Sequence, residues 1–307
     1  MKAKAKDLMS ATPAFIRHAL KRASADVGRL SSGAPNAEDI ARDSVMCSED
    51  ATDIIDGWLS VSRAVKSSAV TDSLLSAIEV ASGHDLIGHI PLSSYIECIK
   101  QLVALGRFNE ALSIALSCAK VYHTSSSLLM QIGIINLRLG SVADAEKAFR
   151  EANLLDNRNC EVWAYQCMIS LQFGPKRAPE ADAALHQSLR LGLCSPPILR
   201  ELAIGFMASD KLQRAEELIR RSLTAEGGKG SFTTRKLLGD VLASQNQAAK
   251  AVEEYKAVLG ASELEGEDDP KIQLAAAEKS IALLQSLGRD EEAKSASAIA
   301  MKIRSTL

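Results

Sequence analysis

Along Ser125–Asn159 the apolar residues Leu128, Leu129, Ile132, Ile135 and Leu139 follow a mixture of three- and four-residue steps, which lays them along one helical stripe. Gly140 closes that helix. After a short turn, Ala145, Ala148, Phe149 and Ala152 repeat the spacing on a second face, so the stretch predicts helix, tight turn, helix. Gly133 and Ala145 are small where the two backbones of such a hairpin come close, and Phe149 is expected to supply bulk that wedges between units. One hairpin of this kind exposes an apolar face it cannot bury alone, so copies of it are expected. Gly106, Gly140 and Gly174 recur at a step of 34 residues, and Ala111 and Ala145 repeat the same step.

This pattern resembles the tetratricopeptide (TPR) repeat, whose period is about 34 residues. The resemblance implies an all-α fold, a right-handed superhelical TPR-like α-solenoid of antiparallel helix pairs. Residues 1–90 read as an N-terminal helical region, a degenerate repeat or a cap, with one helix from Pro13 to about Leu30 carrying Phe15, Ile16, Leu20 and Val27. Residues 91–262 read as an array of five repeats. Residues 263–307 read as an acidic linker, Glu263 to Asp269, followed by a terminal helical hairpin. In the third repeat the segment Pro175–Pro179 lengthens the turn and predicts a stiffened projecting loop, whereas Gly227-Gly228-Lys229-Gly230 is expected to loosen the link between the fourth and fifth repeats.

Composition agrees with helices rather than sheets, since 47% of the residues are hydrophobic but only 4% are aromatic. A formal net charge of −2 offers no field that would gather nucleic acid or anionic lipid. No apolar run approaches the roughly 18–20 residues of a membrane span, and the N-terminus carries no signal-peptide core. Lys2, Lys4, Lys6, Arg17, Lys21 and Arg22 read as one side of a solvated helix rather than a transit peptide, because Asp7 interrupts them. Six cysteines without a C-x-x-C pair read as reduced thiols in a cytosolic compartment, most of them in helix cores.

The chemistry of catalysis leaves little trace. His84 and His89 read as polar surface, and His18, His123 and His186 fall in separate segments. Gly227-Gly228-Lys229-Gly230-Ser231 fails as a phosphate loop, with Leu223 where the first glycine belongs and Gly230 where a hydroxyl residue would hold magnesium. No catalytic, cofactor-binding or metal-ligating residue is assigned, and the chain is expected not to be an enzyme. In stacked hairpins the first helix of each pair lines the inside, which makes Ile96, Lys100, Met130, Gln131, Ile134, Tyr165, Met168 and Arg200 the candidate partner-binding residues. Their apolar, adaptable centre suits an apolar helix or an extended peptide. TPR adaptors that clamp a C-terminal carboxylate use Lys, Asn and Arg where this chain has Ile96, Lys100, Gln131, Glu161 and Tyr165, of which only one is basic.

The run from Ala145 through Glu151-Ala152-Asn153-Leu154-Leu155-Asp156-Asn157-Arg158-Asn159, followed by Glu161-Val162-Trp163-Ala164-Tyr165, resembles the C-terminal TPR array of the cilia- and flagella-associated protein seventy family. The resemblance spans roughly Pro91 to Leu259. It implies a cytoplasmic scaffold of the ciliary or flagellar axoneme, a component of a large complex at the central apparatus or the dynein-regulating machinery, with no catalytic residues to carry over. Family members are much longer and begin with sandwich-like domains, whereas nothing in this chain reads as strands. The alternative reading is a cytosolic TPR adaptor for a chaperone, trafficking or RNA-processing assembly.

Overall fold

The computed structural model describes residues 92–228, 230–260 and 270–306. The expected N-terminal helical region, the acidic stretch Glu263–Asp269, Cys47, His84, His89 and Lys229 lie outside the described residues. Among the described residues are twelve α-helices and no strand. They form consecutive hairpins: α1 (Leu92–Ala104) with α2 (Phe108–Ala119), α3 (Ser126–Arg138) with α4 (Val142–Leu155), and α5 (Cys160–Gln172) with α6 (Ala178–Arg190). There follow α7 (Pro196–Ala208) with α8 (Leu212–Ala225), α9 (Phe232–Ser244) with α10 (Ala248–Gly260), and α11 (Pro270–Ser286) with α12 (Asp290–Thr306). The chain divides into two compact units, Met1–Asn157 and Arg158–Leu307, so α1–α4 belong to the first and α5–α12 to the second.

Each hairpin turns on one residue in the left-handed region. Gly106, Gly140, Gly174 and Gly288 fill that place in four hairpins, but Asp210 (φ 57°) and Asn246 (φ 62°) fill it in the fourth and fifth. Asp and Asn tolerate this conformation because their short polar side chains bond locally. Except in the third hairpin, where Pro175 has no N–H, the next residue then donates back across the helix end, as Ser141 N does to Asn136 O (2.9 Å), Lys211 N to Phe206 O (2.9 Å) and Gln247 N to Leu242 O (2.9 Å). These bonds satisfy helix carbonyls that would otherwise lack a partner. At the opposite end, Ser125, Asn159 and Ser231 cap α3, α5 and α9 by accepting from Leu128 N, Glu161 N and Thr234 N. In the third hairpin, Gly174–Arg177 form a short 3-10 turn that runs straight into α6, with the Arg177 guanidinium over the Phe173 ring.

Inside two of the hairpins the paired helices meet through residues of matched sizes. In the second hairpin Gly133 faces Phe149, and in the fifth Gly239 faces Tyr255; a Cβ on either glycine would lie 2.7 Å or 2.5 Å from the ring. Phe149 thus packs against Gly133 of its own hairpin. Successive hairpins meet where Leu171 of α5 reaches Gly205 of α7, with 2.9 Å to a Cβ built there. Small hydroxyls add a tie: Ser188 Oγ donates to Cys160 O (2.7 Å), and Ser126 Oγ donates to Ala152 O (3.0 Å). The terminal hairpin is joined to α10 by Val252, Leu284, Ala293 and Ala296.

Candidate functional site

Counting back from the turn residue fixes the register of every first helix. The position ten residues earlier holds Ile96, Met130, Ala164, Arg200, Lys236 and Glu278, and the position six earlier holds Lys100, Ile134, Met168, Ile204, Asp240 and Ala282. Lys100 is the one charged residue of this column in the first three hairpins, whereas each of the last three carries at least one charge there. Of the eight expected partner-binding residues, Ile96 and Lys100 on α1 and Met130, Gln131 and Ile134 on α3 lie in the first unit, where α1 and α3 pack together. Tyr165 and Met168 on α5 and Arg200 on α7 lie in the second, where those helices also pack together. Met130 and Gln131 in the first unit are only 8% and 3% exposed, and Tyr165 and Met168 in the second only 7% and 9%. Lys100 is exposed, and Ile96 and Ile134 are half-buried. Ile204, 50% exposed, shares their column and was not among the expected residues. Recognising Asp210 as the turn residue would have reached it.

Arg200 has a different surrounding from that expected of a groove side chain. Its guanidinium donates to Glu226 Oε1 (2.5 Å) and to Thr234 Oγ1 (3.0 Å), and only about a fifth of either charged side chain is exposed (20% and 16%). Glu226 follows the last residue of α8 and also accepts from Ser231 N (2.8 Å) at the start of α9. An internal carboxylate thus occupies the N-terminal end of α9, where free backbone donors attract anions. The glycines beside it are held as well, with Gly230 pressed on Leu223 and Arg235 donating to Gly228 O. The link expected to be loose is pinned.

The second polar cluster centres on Asp240 of α9. Its carboxylate accepts from Lys236 Nζ (2.8 Å), Tyr255 OH of α10 (2.7 Å) and Lys279 Nζ of α11 (2.7 Å). Burial works against its charge, but the hydrogen bonds from Lys236, Lys279 and Tyr255 outweigh it and hold the acid below the usual aspartate range. Burial, then the bond to Asp240, pushes the Tyr255 hydroxyl well above its ordinary value. Every partner of Asp240 is a donor already committed to it, so the cluster ties three helices together and has no free base to offer.

Among the described residues no group of three or more His, Cys, Asp or Glu side chains is gathered as a metal site requires. His123 and His186 are exposed and belong to different units. Among the described residues no helix is long and apolar enough to cross a membrane.

A file of antiparallel helix pairs, each turning on a left-handed residue, defines a TPR α-solenoid. Solved structures agree on that fold. A C-terminal part of a TPR repeat-containing protein from Cytophaga hutchinsonii superposes with a TM-score of 0.54 at 13% identity, over 82% of this chain and 95% of that one. A pilF structure from Pseudomonas aeruginosa gives 0.52 at 16% identity over 73% and 93%, and a thermophilic TPR protein from Thermus thermophilus gives 0.51 at 16% over 61% and 97%. Residues 41–276 match the family described as the cilia and flagella-associated protein 70 C-terminal domain, and the chain belongs to that family. Over 71 residues it is 39% identical to cilia- and flagella-associated protein 70 of Macaca fascicularis, a match covering 23% of this chain and 7% of the macaque protein. The human protein of that name is 39% identical over 71 residues, 6% of its length. The matched segment is thus a small part of those relatives. TPR folds generally mediate protein–protein interaction, and the TPR fold and this family are those of interaction scaffolds.

Proposed function

We propose that this chain is a non-enzymatic scaffold of the ciliary or flagellar axoneme, a cytoplasmic component of a large complex, that holds a helix or extended peptide of a protein partner on the first-helix face of its hairpins. The observation that carries the setting is the family match over residues 41–276, whose relatives are named for cilia and flagella. The mostly apolar column of the early hairpins supports the mode of binding. In the first unit Met130 and Gln131 are buried beneath Ile96 and Ile134, which supply reachable apolar surface beside exposed Lys100, and in the second unit Tyr165 and Met168 occupy the corresponding helix face. Arg200 shapes this face through Glu226 rather than meeting the partner directly.

The test is fractionation of ciliated cells expressing the tagged full chain, followed by proximity labelling. Co-fractionation with salt-washed axonemes, and loss of most labelled axonemal partners in the Ile96→Lys/Ile134→Lys variant with its helical circular dichroism intact, is the expected result. Absence from axonemes with capture of chaperone, trafficking or RNA-processing proteins would favour the cytosolic adaptor instead. An unchanged partner set in the double variant would overturn the binding face.

A further inference from the structure

Five cysteines lie among the described residues, and they separate sharply by environment. Cys98, Cys118 and Cys167 are buried, and burial first of all pushes each thiol up to about 12, which leaves them almost wholly protonated and shielded. Cys194 is exposed, and Cys160 is half-buried at the first position of α5. Both belong to the second compact unit, and both sit at the same end of one hairpin.

Two hydrogen bonds tie the backbone at Cys160 to the turn that carries Cys194. Cys160 opens α5, and its carbonyl accepts the Ser188 hydroxyl at 2.7 Å, which fixes the last turn of α6 against the first turn of α5. Beyond α6 the chain reverses through Gly192 (φ 88°), and Leu193 N returns to Ser188 O at 3.2 Å, folding the buried Leu193 into the core. Cys194 is the next residue, held on the outside directly after that reversal. Burial first, then the charge of Glu161 and to a smaller extent that of Cys194, pushes the Cys160 thiol up.

We propose that Cys160 and Cys194 form an oxidisable dithiol, a modification site that takes a low-molecular-weight disulfide such as oxidised glutathione and closes to an internal disulfide across the end of the third hairpin. The deprotonated sulfur of Cys194, the more accessible of the pair, attacks one sulfur of the glutathione disulfide. A protein–glutathione S–S bond forms, the glutathione S–S bond breaks, and one glutathione thiolate departs with the electron pair. The Cys160 thiol then gives its proton to solvent, and its thiolate attacks Cys194 Sγ, which releases the second glutathione thiolate. The protein dithiol loses two electrons and two protons, and the disulfide reagent gains them as two thiols. The closed bond ties the start of α5, which leads into the Glu161–Tyr165 segment, to the turn after α6. Excess reductant reverses it.

The experiment uses the reduced full chain in excess oxidised glutathione, followed by intact mass, thiol titration in denaturant and a non-reducing peptide map. The expected result is a cross-linked peptide pair containing Cys160 and Cys194, lighter than the two reduced peptides by two hydrogens and free of glutathione, with Cys98, Cys118 and Cys167 still titratable. The Cys160→Ser variant should stop at one glutathionyl group on Cys194, because the resolving thiol is gone. A wild-type chain that carries glutathionyl on Cys194 without closing, that stays fully reduced, or that links any other pair would overturn the proposal. The Cys160→Ser/Cys194→Ser variant, checked for native helicity, should keep Cys98, Cys118 and Cys167 unmodified in the peptide map; reaction at any of these three would equally overturn it.

Discussion

A methyl group added at Gly133 would meet the Phe149 ring at 2.7 Å, and Phe149 is fully buried, so the ring has no free space into which to retreat. In an open helix position Gly→Ala gains up to about 1 kcal/mol from propensity. Here overpacking reverses the sign. Gly133→Ala is expected to cost about 1–3 kcal/mol by urea denaturation, and Phe149→Leu in the same chain is expected to recover most of that loss. The equivalent positions support the rescue, because the first hairpin places Ile99 with Ala115 and the fourth places Ala203 with Ile219, trading bulk between the two helices. The left-handed turn residues obey a similar rule of shape. Asn246→Val should lose about 1–2 kcal/mol while Asn246→Gly stays near wild type, since a β-branched side chain clashes at φ 62° and glycine does not. At this scale the sequence was legible where glycine marked the turn, and illegible at Asp210 and Asn246. What recurs is the dihedral angle, and three residue types meet it.

Two polar clusters decide how the later helices are joined, and neither could be read from spacing because their partners come from different helices. Glu226 closes the α8–α9 link by accepting from Arg200, Ser231 N and Thr234. Removing its carboxylate strands a mostly buried guanidinium and a helix-end donor. Glu226→Ala is expected to destabilise by about 2–4 kcal/mol, with Glu226→Gln losing less because it can still accept. The glycine run gave the opposite impression, since glycines alone signal freedom and the distant arginine that restrains them is invisible in a local window. Asp240 sets an acid dependence. Its folded-state value is depressed below the unfolded one, so its contribution is fully present above the ordinary aspartate range, about 4, and is lost as pH falls through the folded value. The urea midpoint of wild type should therefore fall between pH 5 and about pH 2 by more than that of Asp240→Asn. Parallel acid limbs for the two proteins would contradict the role assigned to Asp240.

Over the whole molecule the fold class was legible because stacking imposes a period, and a period survives in the sequence even where individual residues drift. The glycine step of 34 runs on from Gly140 to Gly174 across Asn157 and Arg158, where one compact unit ends and the next begins. That division leaves no mark on the spacing, since it depends on which helices touch rather than on where turns fall. The same nearest-neighbour logic governs the end of the array. Hairpin α11–α12 is held to α10 by Leu284 against Val252, Ala293 and Ala296, and by Lys256 donating to Glu292 at 2.5 Å. Glu292 and Lys256 are largely in water, which leaves the apolar contact as the dominant tie. The family match ends at residue 276, inside α11, so most of this hairpin is an addition to the matched region. In a quasi-one-dimensional stack a defect lowers the stability of its own hairpin and its neighbour, and its effect fades with distance. Leu284→Ala, a buried truncation costing about 2–4 kcal/mol, should thus speed amide exchange throughout α11 and α12 and slightly in α10, while α3 and α4 exchange as in wild type. Uniform acceleration in every helix would mean that the array unfolds as a single cooperative block.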